Sequence, residues 1–202
     1  MARSKALVGL LGGSFDPPHL GHTLLAAYAL GAHPLEQLLV IPAHKHADAK
    51  PLVPFEHRLR MCELAMQDLR RVHVSSIEQE LGGVSRTLLT VTELQLRYPE
   101  ASFALVVGSD LESELPTWYR YSELEALVTT ISVGRAAAGM DRGLQGSRAS
   151  RGSSSCSTVT LPAISSSDIR ARLGKRQPTS GLLSHSVAAY IEQHGLYRRP
   201  QG

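Results

Sequence analysis

Gly12-Gly13-Ser14-Phe15-Asp16-Pro17-Pro18-His19-Leu20-Gly21-His22 lies between an apolar run at 6–11 and a segment at 23–30 with leucine and alanine at helical spacing. A short apolar run bounded by glycines reads as a buried strand, and apolar residues three and four apart read as one face of a helix. The eleven residues therefore form a strand-to-helix junction. There, glycine lets the main chain approach a ligand closely, and the free N–H groups at the helix start favour an anion. His19 and His22, three apart at the helix entrance, project to one side and converge on one point. Each imidazole can donate to a phosphoryl oxygen, and each can carry positive charge when anionic surroundings favour it. A phosphate is the expected guest. The string lacks the G-x-x-x-x-G-K of a P-loop and the G-x-G-x-x-G of a dinucleotide fingerprint, so neither mechanism applies.

Outward from this junction, apolar runs at 38–41, 72–77, 103–107 and 129–133 read as further strands. Between them the periodicity predicts helices at 55–69, entered through Pro54, and at 87–97, capped by Ser85 and ended by Pro99. Two more helices are expected at 166–173 and 184–194. Strands alternating with helices imply βαβ units and a parallel sheet. The expected fold is a single-domain, Rossmann-like, doubly wound α/β sheet with C-terminal helices. Such sheets bind ligands beyond the carboxyl ends of their strands, where strand order reverses, and the first motif follows the first strand. Residues 134–158 break the regularity with glycine, serine and alanine, too little apolar surface to order a segment. A mobile loop at 136–157 is expected, leading to a short sixth strand at 158–161.

The chain has 202 residues, enough to bury a sizeable core in one domain. A formal net charge of +3 suits a protein that handles polyphosphates, but Lys and Arg form no dense stripe interleaved with aromatics, which excludes nucleic acid. Cys62 and Cys156 offer neither a metal spacing nor a disulfide framework. Cys62 falls in an apolar helical pattern and is expected in the core. The first apolar run, about six residues, is too short for a signal peptide or a membrane span, so a cytoplasmic protein is expected. Self-association is left open.

Further motifs fall at the carboxyl edge of the same sheet. Gly108-Ser109-Asp110 follows the strand at 103–107, and Asp110 would either accept from a ribose hydroxyl or cap the next helix. Ile164-Ser165-Ser166-Ser167-Asp168-Ile169-Arg170 reads as a helix start where hydroxyls, backbone N–H groups and the macrodipole favour negative charge. Capping needs only one of those serines. Arg170, about one turn in, adds a charge-assisted, potentially bidentate partner. Trp118, the only tryptophan, would by itself read as a core residue. Arg135, ending the strand at 129–133, is a better ligand candidate than the loop arginines at 142, 148 and 151.

The opening string resembles the GxFDPxHxGH signature of the nucleotidyltransferase superfamily of adenylyl- and cytidylyltransferases, and within it the bacterial nicotinate-mononucleotide adenylyltransferases. The likeness continues, in the family's order, through Gly108-Ser109-Asp110, Leu115-Pro116-Thr117-Trp118-Tyr119, the 164–170 block and the closing stretch that ends His194-Gly195-Leu196-Tyr197. The resemblance implies transfer of AMP from ATP to nicotinate mononucleotide, giving nicotinate adenine dinucleotide and pyrophosphate, with Mg²⁺ carried by ATP. It implies that His19, His22 and Arg170 do the chemistry. ATP would be held by those three with Gly12, Gly13, Ser14, Phe15, Gly108, Asp110, Ile164, Ser165, Ser166 and Ser167. Asp16 would either meet the water shell of Mg²⁺ or cap the turn.

Acceptor contacts are implied for Gly13, Ser14, Phe15, Thr87, Trp118, Tyr119, Arg135 and a basic residue after Pro42, with the indole stacked on the pyridine ring. Three departures from the family pattern accompany this. Ser167 replaces a threonine and keeps its hydroxyl, and Arg86 and Leu89 stand where the family has tyrosine and aspartate. After Pro42 the family's Pro-Pro-His-Lys becomes Ala43-His44-Lys45-His46, leaving Lys45, His46 and Lys50 as candidates for the phosphate-facing group, beside the alternative of an exposed basic loop with no role. Rivals with the same chemistry, phosphopantetheine adenylyltransferases and cytidylyltransferases, fit Trp118 and the His-Gly-Leu-Tyr ending less well. Nicotinamide mononucleotide is a nearly isosteric acceptor, and a nucleotide-binding regulator without turnover is a reading from another class.

Overall fold

Five parallel strands build the sheet in a computed structural model that describes residues 5–46, 51–134 and 160–198. In chain order the elements are β1 (Ala6–Gly13), α1 (Leu20–Ala32), β2 (Gln37–Pro42), α2 (Phe55–Met66), β3 (Val72–Val74), α3 (Ile77–Leu81), α4 (Thr87–Arg97), β4 (Ala101–Gly108), α5 (Tyr121–Leu127), β5 (Thr129–Val133), α6 (Ser166–Gly174) and α7 (His185–Gln193). The spatial order β3-β2-β1-β4-β5 reverses between β1 and β4, which is the Rossmann-like, doubly wound arrangement expected from the sequence.

The strands are apolar because both faces are covered. Along β4, Phe103, Leu105 and Val107 point to a cluster with Leu88, Val91 and Leu94 of α4 and Leu124 of α5. The alternate residues Ala104 and Val106 join Leu25, Ala26, Ala29 and Leu30 of α1 and Cys62 and Met66 of α2. Cys62 is thus a core residue as expected, and burial pushes its thiol pKa well up. A third cluster, around Met61, Ile169, Leu183, Val187 and Ile191, seats α6 and α7 against α2. Among the described residues no helix is long and apolar enough to cross a membrane.

The register opens a crevice at the reversal. β1 pairs with β2 as far as Gly13 opposite Pro42, and β4 pairs with β5 as far as Gly108 opposite Val133. Between β1 and β4, pairing ends at Leu10 opposite Leu105. The two central strands therefore part over their last residues, where Gly12-Gly13 and Gly108-Ser109-Asp110 emerge.

Four expectations about elements are corrected. The strand expected at 72–77 is only Val72–Val74: Ser75 Oγ accepts from Ile77 N–H (3.3 Å) and starts α3, so Ile77 is apolar because a helix buries it. α2 ends at Met66, and Leu69 lies in the following turn. α4 spans 87–97 as expected, but Arg86 holds its N-cap position without a side-chain cap, while Ser85 Oγ accepts from His44 N–H (2.8 Å). Of the expected sixth strand, 158–159 lie outside the described residues, and Leu161 N–H donates to Gly134 O (2.8 Å) past the end of β5. Arg135 and the loop at 136–157 also lie outside the described residues.

Candidate active site

His19 is the N-cap residue of α1, and His22 is its third helical residue. Their rings stack with centroids 3.7 Å apart, and the Phe15 ring lies 4.8 Å from His22 on another side. The two histidines do converge. His19 N–H donates to His22 Nδ1 (3.2 Å), which leaves the proton of a neutral His22 ring on Nε2. His22 is therefore set up as a hydrogen-bond donor without needing a positive charge. Gly21 makes the stacking possible, because a Cβ there would lie 3.0 Å from His19 Nδ1 and 3.1 Å from Cε1. We expect Gly21→Ala to push the His19 ring by a few tenths of an ångström and lower kcat by roughly tenfold, since small misplacements at reacting centres are costly. Unchanged turnover would show that the ring's position is not critical.

The glycines at the end of β1 divide their tasks. Gly12 is exposed, with nothing within 4 Å of where a Cβ would sit, so its main chain is open to a ligand. Gly13 instead accommodates the Phe15 ring, which would lie 3.2 Å from a Cβ. Phe15 is 1% exposed and takes φ 48°, a left-handed conformation that non-glycine residues rarely hold.

The serine block docks on this motif. Ser166 Oγ donates to Pro17 O (2.9 Å), and Ser165 Oγ accepts from the N–H groups of Ser167 and Asp168 as the cap of α6. Ile164 Cβ lies 3.5 Å from where a Gly21 Cβ would be. The N-termini of α1 and α6 thus meet, and their partial positive charges and unpaired N–H groups together favour an anion. Arg170 Nη1 donates to Asp16 O (2.7 Å) and Nη2 to Ser167 Oγ (3.1 Å). Each of the three serines already has a structural task, which the sequence expectation of a hydroxyl-lined pocket did not foresee.

Asp16 is 2% exposed, and its Oδ1 accepts from the Tyr197 hydroxyl (2.7 Å) and from Val53 N–H (3.4 Å). A carboxylate so engaged braces the turn and does not fit a metal cation. The described residues contain no cluster of three or more His, Cys, Asp or Glu that would hold one.

A second group forms around the N-terminus of α4. Lys45 O accepts from Ser85 N–H (2.9 Å), which brings the loop after β2 beside Thr87, the first residue of α4. The Arg86 guanidinium lies over the Tyr119 ring at 5.4 Å, with Arg120 at 5.8 Å, so Thr87 and Trp118-Tyr119 are neighbours. Trp118 is half-buried and packs against the cluster beneath α4 and α5. Lys45 is exposed, His46 is half-buried, and Lys50 is outside the described residues. Asp110 lies within a 3₁₀ turn, Ser109–Leu111, and the next α-helix begins only at Tyr121, so it caps none.

Arg58 was missed in the sequence. It is 1% exposed, and its guanidinium donates to Val53 O (2.8 Å), Ser14 O (2.8 Å) and His44 O (3.2 Å), tying the loops after β1 and β2 to α2. Burial lowers its pKa, with Asp16 opposing that shift. The available signal was an arginine inside the apolar stripe Phe55, Met61, Cys62, Met66 of one helix face. A groove of about 750 Å³ lined by Val8, Leu39, His73, Leu94 and Phe103 contains none of the motif residues and lies towards the amino-terminal ends of the strands.

A family model described as cytidylyltransferase-like matches residues 10–172. A curated relative from Anaeromyxobacter sp. (strain K), named "Probable nicotinate-nucleotide adenylyltransferase", is 40% identical over 194 residues, covering 95% of this chain and 96% of its own. One of the same name from Geobacillus thermodenitrificans is 36% identical over 194 residues, covering 94% and 85%. Among solved structures, the Plasmodium falciparum nicotinic acid mononucleotide adenylyltransferase complexed with NaAD superposes with a TM-score of 0.74 at 18% identity, covering 95% of this chain and 97% of that one. That likeness is one of fold.

Proposed function

We propose that this chain, which belongs to the cytidylyltransferase-like family, is a nicotinate-nucleotide adenylyltransferase of NAD biosynthesis. The observation that carries the reading is the meeting of two helix N-termini at one junction: Ser166 and Arg170 of α6 fasten to Pro17 and Asp16 beside the stacked His19–His22 pair of α1. Curated relatives that share most of the chain carry that enzyme's name.

In the reaction, a phosphate oxygen of nicotinate mononucleotide attacks the α-phosphorus of ATP. The bond to the bridging oxygen breaks, and pyrophosphate departs with that electron pair. No covalent step falls to the protein, so alignment and charge stabilisation supply the rate. His22 Nε2–H donates to a nonbridging oxygen of the α-phosphate, and His19 contacts the same triphosphate. The Gly12 and Ser14 main chain approaches the phosphates, while Arg170 and the N-terminus of α6 steady the leaving pyrophosphate. Gly108 and Asp110 face the nucleotide from the other lip of the crevice. Mg²⁺ enters bound to ATP, whose charge it neutralises, and no residue of the chain is assigned as its ligand. On the acceptor side Lys45, Thr87, Trp118 and Tyr119 hold the mononucleotide, the indole against the pyridine ring.

Pyrophosphate release with ATP and each acceptor tests the reading. We expect kcat/KM for nicotinate mononucleotide to exceed that for nicotinamide mononucleotide by at least about tenfold, one charge-assisted hydrogen bond being worth about 1.4 kcal/mol or more. Equal values would remove the acid preference. Release only with phosphopantetheine, or tight ATP binding with no release for any acceptor, would replace the reading with a rival transferase or a regulator.

A further inference from the structure

The Asp16 carboxylate is surrounded by donors from distant parts of the chain. Besides Tyr197 and Val53 on Oδ1, the Arg170 guanidinium stands 3.9 Å from Oδ2. Arg58 also acts on this carboxylate electrostatically, but its own donors are committed to three carbonyl groups. Arg170 alone among these cations is half-exposed. Its strongest available partner in the protein is a two-oxygen grip on Asp16, the geometry that guanidinium and carboxylate prefer. It does not take that grip. Its Nη1 donates to the main-chain oxygen of Asp16 instead. One of the two oxygens needed for a bidentate pair is occupied by the Tyr197 hydroxyl.

We propose that Tyr197 is a positioning residue for Arg170: by occupying Asp16 Oδ1 it keeps the guanidinium on the main-chain carbonyl, turned to the phosphate site, and prevents its collapse onto the carboxylate. The proposal rests on the reading that Arg170 meets the phosphates of ATP. The chain end is shaped to deliver this hydroxyl. Gly195 (φ 61°) and Tyr197 (φ 63°) both adopt left-handed conformations, and Leu196 N–H donates to Ile191 O (3.0 Å), folding the segment back over α7. A tyrosine rarely adopts such a backbone unless its surroundings impose it, and here Leu196 and Tyr197 pack on the third core cluster. Burial and the Asp16 carboxylate both push the phenol pKa up, so the hydroxyl remains a donor throughout the working range.

A double-mutant cycle in ATP affinity, measured by calorimetry with no acceptor present, tests the proposal on four proteins: the unaltered chain, Tyr197→Phe, Arg170→Ala and the double variant. Phenylalanine keeps the ring and its packing. We expect Tyr197→Phe to weaken ATP binding about tenfold when Arg170 is present and less than about twofold when it is absent, the pattern of a residue that acts through its neighbour. A loss at least about threefold larger in the presence of Arg170 supports the proposal. Any smaller difference, including equal losses in both backgrounds or no loss in either, overturns it, because a purely structural hydroxyl would cost the same with or without Arg170. If the unaltered chain bound no ATP, the adenylyl-transfer reading itself would fall, and Tyr197's role with it; ATP binding with additive losses would remove Tyr197 alone.

Discussion

Replacing His22 by alanine lowers kcat for pyrophosphate release by at least about a hundredfold, the usual cost of deleting one preorganised donor to developing charge. The expectation rests on how little freedom the ring has. His19 N–H fixes Nδ1, the His19 ring stacks at 3.7 Å, and the Phe15 ring closes another side at 4.8 Å. Nε2–H therefore points where it will be needed before the substrate arrives, and no reorganisation accompanies the reaction. ATP affinity should change far less than kcat, because the donor acts on charge that grows in the transition state. Rapid-quench turnover beside equilibrium ATP binding separates the two. Normal turnover in the variant would remove His22 from its role.

Arg58→Met destabilises the fold by about 3–5 kcal/mol, the range for removing a buried charge that others depend on. Methionine fills the space but donates to nothing, leaving the carbonyl groups of Ser14, His44 and Val53 without this donor. Each buried acceptor so abandoned costs about 1–3 kcal/mol when water cannot reach it. For a chain of this size the loss corresponds to a fall in Tm of roughly 10 °C. Arg58→Lys keeps the charge, but a single ammonium cannot reproduce the planar fork, so it should recover only part of the loss. Thermal unfolding of both variants checks the expectation. A Met variant within about 1 kcal/mol of the parent would mean that the loops after β1 and β2 are held by other contacts.

Much of the fold was legible because it is written in local periodicity. The strands at 6–11, 103–107 and 129–133 and the helix at 87–97 follow from runs whose spacing tells strand from helix. The reading failed where one apolar run served two elements. Val72 and Ile77 both avoid water, but Ser75 and Ser76 break the strand between them, so Ile77 belongs to a helix and to a different core cluster. It failed again at Ser85, whose composition suits a helix cap but whose hydroxyl serves His44 across 41 positions of the chain.

At the site the same division holds. The Gly12 to His22 string, its place between a strand and a helix, and the order of the later motifs are properties of the sequence, and they suffice for a phosphate site and a family. Only the tertiary structure decided what those residues do for one another. Strand order set the crevice between β1 and β4, because pairing partners are chosen by packing on both faces and not by neighbourhood along the chain. Asp16 read as a candidate for the metal's water shell, and became a buried brace through Tyr197, 181 positions away; Ser166 became a fastener through Pro17, 149 positions away. A hydrogen bond over such a separation leaves no periodic trace. It exists only once the sheet has brought the two ends of the chain to the same edge.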